Sequence, residues 1–102
     1  MRKSRRIDYM LGSLFWGGFK LDKYVDSFIR SGAKEQVVTI PIRIGESNVN
    51  VKYKLLRKND KVLIYIYEGG KYNLRAVLDV KNKTTTIYPW SGKPFVLRWI
   101  IH

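Results

Sequence analysis

From residue 37 to its end the chain is a succession of short β-branched and aromatic runs separated by turn-forming residues, and this punctuation narrows the fold more than any other feature. VVTIPIRI, NVNVKYKLL, KVLIYIY, YNLRAVLDV, TTTIYPW and FVLRWII are each of strand length, with GES, RKND, EGGK, KNK and SGKP around them. Gly and Asn admit the positive φ of tight turns, so neighbouring runs are expected to pair antiparallel. Alternation in YNLRAVLDV puts Tyr72, Leu74, Ala76, Leu78 and Val80 on one predicted face. A different period occupies residues 21–31. There Leu21, Tyr24, Val25, Phe28 and Ile29 recur at helical spacing, Asp22 falls in the first turn and Gly32 can close the end. The predicted fold class is α+β, mostly antiparallel strands with one helix near 21–31, in a single domain of residues 1–102.

At 102 residues, with 45% apolar and 14% aromatic side chains, the chain can pack one core and is not expected to be disordered. It has no Cys, which excludes disulfides, thiolate metal sites and a cysteine nucleophile. Its one His is the last residue, which removes His-dependent triads and polyhistidine zinc sites. Asp8, Asp22, Asp26, Asp60 and Asp79 are scattered, with no His beside them to complete an acid–base pair. Asp22 and Asp26 share a helix face at a spacing a metal could use, but Lys23 and Arg30 nearby read as a solvated surface. Gly17-Gly18 and Gly69-Gly70 belong to neither G-x-x-x-x-G-K-[ST] nor G-x-G-x-x-G. Ser91-Gly92-Lys93 matches only the end of a phosphate loop, and Pro94 blocks the helix that should follow. No enzyme activity, cofactor or metal is expected. The sequon Asn82-Lys83-Thr84 reads as a turn, and Ser4 within RKSRR as part of a basic terminus.

The absence of Cys fits a reducing cytoplasm. The opening MRKSRR and the apolar residues 10–19 have the outline of a signal peptide. That run is shorter than the about 20 residues that span a bilayer, Asp8 precedes it and no small-residue cleavage site follows. It is expected to be a strand of a cytoplasmic protein with no membrane partner.

Twenty Lys and Arg against eight Asp and Glu give a net charge of +12. Arg2, Lys3, Arg5 and Arg6 form an arm, Lys52, Lys54, Arg57, Lys58 and Lys61 a second cluster, and Lys81 with Lys83 a third. Such density attracts a phosphate backbone. Tyr53 lies between Lys52 and Lys54, and Trp99 follows Arg98; strand neighbours face opposite ways, so both aromatics are expected on a buried side. Helix-turn-helix, RNP, KH and zinc-finger patterns are all missing.

The chain also resembles itself. Residues 5–18 (RRIDYMLGSLFWGG) align with residues 57–70 (RKNDKVLIYIYEGG), with identity at Arg5/Arg57, Asp8/Asp60, Leu11/Leu63, Gly17/Gly69 and Gly18/Gly70. Thr39-Ile40-Pro41 then faces Thr86-Ile87-Tyr88-Pro89, and VNVKYKL faces FVLRWII. These collinear blocks imply an internal duplication of 5–55 and 57–101, two motifs sharing one core about a pseudo-twofold axis with a ligand cleft along the seam. Pro41 and Pro89 cannot donate to a ladder and are expected at an edge or a bulge. A rival register matches Asn50, Leu55, Lys58 and Asn59 with Asn73, Leu78, Lys81 and Asn82, as recurring strands and Lys/Asn turns allow.

The length, the opening MRKSRRIDYMLGSLFWGG and an Ile/Lys/Tyr bias with Ala only at Ala33 and Ala76 resemble the small orphan proteins of filamentous viruses of thermoacidophilic archaea, the Acidianus filamentous viruses included. The resemblance spans the whole chain without a functional motif. It implies a host cytoplasm and a virus–host or virion role, and carries over no catalytic residue. Only three Glu are present, a departure from thermophile habit. The expected function is a non-enzymatic protein-interaction module that holds an extended segment of an acidic partner in the cleft. Trp16, Tyr67, Tyr88, Trp90 and Trp99 are its candidate binding aromatics. The alternative is sequence-nonspecific nucleic-acid binding through the basic arm and turns.

Overall fold

The computed structural model describes residues 6–13 and 18–102. In chain order these form β1 (Ile7–Asp8), a 3-10 turn (Leu11–Ser13), α1 (Gly18–Ser31), β2 (Glu35–Ile44), β3 (Ser47–Lys58), β4 (Lys61–Glu68), β5 (Lys71–Asp79), β6 (Thr84–Ile87), β7 (Phe95–Arg98) and β8 (Ile100–Ile101). Strands β2 to β7 make a single six-stranded antiparallel meander in sequence order, and β1 pairs with β8. The α+β class, mostly antiparallel strand with one helix, is as expected from the sequence.

Turn chemistry sets the register. Gly69 and Gly70 both adopt positive φ, 60° and 80°, the geometry that matches the twist of the strands they join, and Glu68 pairs with Lys71 across them. Asn59 (φ 57°) serves the β3–β4 turn in the same way. Helix α1 ends where Gly32 enters the left-handed region at φ 74°. It begins at Gly18 rather than near 21, so Asp22 lies beyond the first turn.

One face of the sheet is covered. Val38, Ile40, Tyr53, Leu55, Val62, Ile64, Ala76, Leu78 and Ile87 point inward against Leu21, Val25 and Phe28 of α1 and against Tyr9 and Leu11, forming one buried core. Tyr53, flanked by outward lysines, is fully buried, and burial pushes its hydroxyl pKa up to about 12.

Three expectations need correction. Residues 10–19 are not a strand where described: Asp8 Oδ1 accepts from the Met10 N–H at 2.8 Å, Met10 takes φ 66°, and a 3-10 turn follows. Tyr72 and Leu74 do not share a face with Ala76 and Leu78. The pairing steps from Ile64↔Ala76 to Tyr65↔Leu74, leaving Arg75 as an extra residue, and this bulge turns the start of β5 over. Pro89 follows β6 instead of lying in it, whereas Pro41 does sit in the edge strand β2. The described residues of the two stretches matched in sequence lie in different elements. The described part of 5–18 holds β1, the 3-10 turn and the first residue of α1, whereas 57–70 holds the end of β3 and β4. β3 and β4 pair from Tyr53↔Ile66 to Lys58↔Lys61, so the sheet is continuous across residues 55–57.

Candidate functional site

Two features of the sheet remain open. The first is the edge of β2. The Arg57 N–H donates to the Lys34 carbonyl at 2.8 Å, which fixes the phase of the β2–β3 ladder. Gln36, Val38, Ile40, Ile42 and Ile44 therefore exchange their main-chain bonds with β3, and Glu35, Val37, Thr39, Pro41 and Arg43 aim theirs away from it. All five of the latter are exposed, and among the described residues β2 has no other strand partner. The N–H that Pro41 lacks is on this free side, so the proline costs the sheet nothing.

The second is the outer face. Register places Val37, Lys54, Tyr65 and Leu74 in one row across four strands, and Glu35, Leu56, Leu63, Val77, Thr86 and Val96 in a row across all six. Lys54 Nζ lies 5.3 Å from the centre of the Tyr65 ring and 4.8 Å from that of Tyr72. Lys52 Nζ lies 5.3 Å from Tyr67, whose ring meets Tyr72 edge-on at 5.1 Å. Tyrosines and lysines thus form a contiguous patch over an apolar floor.

Of the basic residues singled out in the sequence, Lys52, Lys54 and Lys58 are on this outer face, and Arg6 is exposed near β1. Arg57 is not part of the patch. Its side chain turns inward, lies over the Phe28 ring at 5.3 Å and donates to the carbonyls of Phe28, Ile29 and Ala33 at 2.8–3.0 Å, closing the C-terminus of α1. Arg2, Lys3, Arg5 and Trp16 lie outside the described residues.

The candidate aromatics separate too. Tyr67 is on the outer face and 46% exposed. Trp99 packs edge-on against Tyr9 at 4.7 Å, and its indole donates to Thr85 Oγ1 at 2.7 Å, a structural role. Tyr88 is half-buried beyond β6, with its N–H donating to the Arg75 carbonyl at 2.8 Å. Trp90, half exposed, donates to Glu68 Oε2 at 2.7 Å while the Arg75 guanidinium lies 4.7 Å over its ring. Arg75 also pairs with Glu68. Burial pushes the Glu68 carboxyl up, but the Arg75 and Trp90 hydrogen bonds outweigh it and hold the group below the ordinary range. Tyr65 and Tyr72 were missed as site residues. Tyr65 was within reach through its parity with Tyr67, whereas Tyr72 was hidden by the bulge.

The Asp22–Asp26 pair is less solvated than its lysine and arginine neighbours implied. Asp26 accepts from the Tyr9 hydroxyl at 2.7 Å and pairs with Arg30. Asp22 Oδ2 accepts from the Tyr9 N–H at 3.3 Å, but its Oδ1 is buried without a hydrogen-bond partner. Burial, reinforced by Asp8 and Asp26, raises its pKa to about 6. Among the described residues no group of three or more His, Cys, Asp or Glu is placed to hold a metal ion, and no helix is long and apolar enough to cross a membrane. No protein-family model matches the chain, and comparison with curated proteins and with solved structures finds no significant match.

Proposed function

We propose that the chain is a non-enzymatic protein-interaction module that takes an extended segment of an acidic partner as an added strand along β2. The observation that carries this reading is the row of outward main-chain groups at Glu35, Val37, Thr39 and Arg43, spaced as an incoming strand requires. Pro41 interrupts the donors, so the continuous stretch is Glu35 to Thr39. The net charge of +12 favours carboxylates on the incoming segment. A relation between 5–55 and 57–101 rests on the sequence correspondence alone, and this reading does not need the cleft it implied. Origin in a filamentous archaeal virus and residence in the host cytoplasm belong to the same proposal and rest on the sequence resemblance.

A fluorescent peptide of alternating Glu and Val tests it. Binding should protect the Val37 and Thr39 amides from hydrogen exchange. Thr39→Pro, which deletes one outward donor, should abolish binding that Thr39→Val retains. Equal binding by the proline variant would remove β2 as the site.

A further inference from the structure

We propose that the outer face of the sheet is a second site, separate from the β2 edge, that binds single-stranded nucleic acid by stacking bases on Tyr65, Tyr67 and Tyr72 and pairing phosphates with Lys52 and Lys54.

The face is unlike an ordinary wet side of an antiparallel sheet, which carries polar residues at alternate positions. Here the alternate positions hold Leu56, Leu63, Tyr65, Tyr67, Tyr72 and Leu74, with lysines above them. Rings give every base a surface to stack on, whatever its identity, and cations follow the backbone. The present contacts are compatible with ligand entry. Each lysine has a flexible stem, so an ammonium can leave a ring for a phosphate and uncover the ring as it goes. Lys54 serves two rings, Tyr65 and Tyr72, so one such movement opens both. A duplex could satisfy the lysines, but its bases are stacked on one another and cannot reach tyrosines on a broad sheet surface. An acidic polypeptide matches the charge but gains nothing specific from ring faces. The chemistry of the patch therefore selects unpaired bases.

The test uses the full chain and fluorescein-labelled oligothymidylate of about 12 nucleotides, a length in the range that one small domain covers. Anisotropy is read at low salt and at about 0.15 M salt, where exposed charges are screened beyond about 8 Å. The expected result is binding at both salts, with a duplex of equal length bound more weakly. Tyr67→Leu and Tyr65→Leu should each weaken binding about tenfold, the loss expected for one stacked base, while Tyr67→Phe and Tyr65→Phe stay within about twofold. Lys52→Ala with Lys54→Ala should lower the slope of log affinity against log salt by about 1.4, the share of two phosphates on a single strand. Both leucine variants keep an apolar side chain on an open face, so folding does not confound them. The proposal is overturned if the leucine and phenylalanine variants bind alike, if duplex binds as tightly, or if changing Arg2, Lys3, Arg5 and Arg6 to Ala abolishes binding that the tyrosine variants leave intact.

Discussion

Strand β3 carries two cations three residues apart with opposite fates. Lys54 faces outward and rests its ammonium on two tyrosine rings, whereas Arg57 faces inward and ties three carbonyls at the end of α1 to the sheet. The sequence presents them as one basic cluster. Strand parity divides them, and with them the whole sheet, into a face that packs against α1 and a face that carries the tyrosines and lysines.

The largest test of that division is core truncation. Leu55→Ala removes a fully buried inner-face side chain and should cost about 3 kcal/mol by urea unfolding. Leu63→Ala, on the outer face, should cost less than about 1 kcal/mol. Similar losses would mean that the outer face is covered. The cations give the next contrast. Arg57→Ala frees three helix-end carbonyls and the packing on Phe28, for about 2 kcal/mol, while Lys54→Ala should stay within about 0.5 kcal/mol.

Smaller in effect is a test of the carboxylate under the inner face. Burial raises the Asp22 carboxyl to about 6, above the value of an unfolded chain. Between the ordinary carboxylate range and pH 6 the folded chain therefore holds a proton that the unfolded chain has lost. Stability from this group is full at the acid end of that window and falls as pH rises to about 6. Asp22→Asn should abolish the dependence and raise stability at pH 7 by roughly 1 kcal/mol, discounted for the group's partial exposure. Thermal midpoints at pH 4.5 and 7 decide it. A variant that keeps the same pH slope would place the titration elsewhere.

Much of the architecture was legible because each hairpin is local. Alternation gave the strands, Gly69-Gly70 and Asn59 gave the turns, and the spacing of Leu21, Val25 and Phe28 gave the helix that caps them. Parity also predicted that Tyr53 is buried between its lysines. The failures came from interactions that no local pattern encodes. A single extra residue at Arg75 moves Tyr72 and Leu74 to the outer face without disturbing the hydrophobic alternation. Residues 10–19 read as strand because the run is mostly apolar, but the Asp8 side chain turns the chain at Met10, and the Tyr9 carbonyl is taken by Thr85 Oγ1 at 2.8 Å. Arg57 resembled its basic neighbours because its partners lie on a helix more than twenty residues earlier in the chain. Trp90 was singled out as a binding aromatic, but its tether to Glu68 and Arg75 was not foreseen.

The pairing of β1 with β8 joins the most distant segments of the described chain. Ile7 meets Ile101, and the His102 N–H donates to the Arg6 carbonyl at 2.9 Å, contacts that close nearly the whole chain into a loop. The meander, by contrast, grows through turns a few residues long, each formed at small entropic expense. The two terminal strands should therefore dock last, on a sheet that already presents Thr85 and Trp99. Substitutions at Ile7 or Ile101 should speed unfolding and leave the folding rate unchanged, the signature of a latch made by β1 and β8 on the lifetime of the native state.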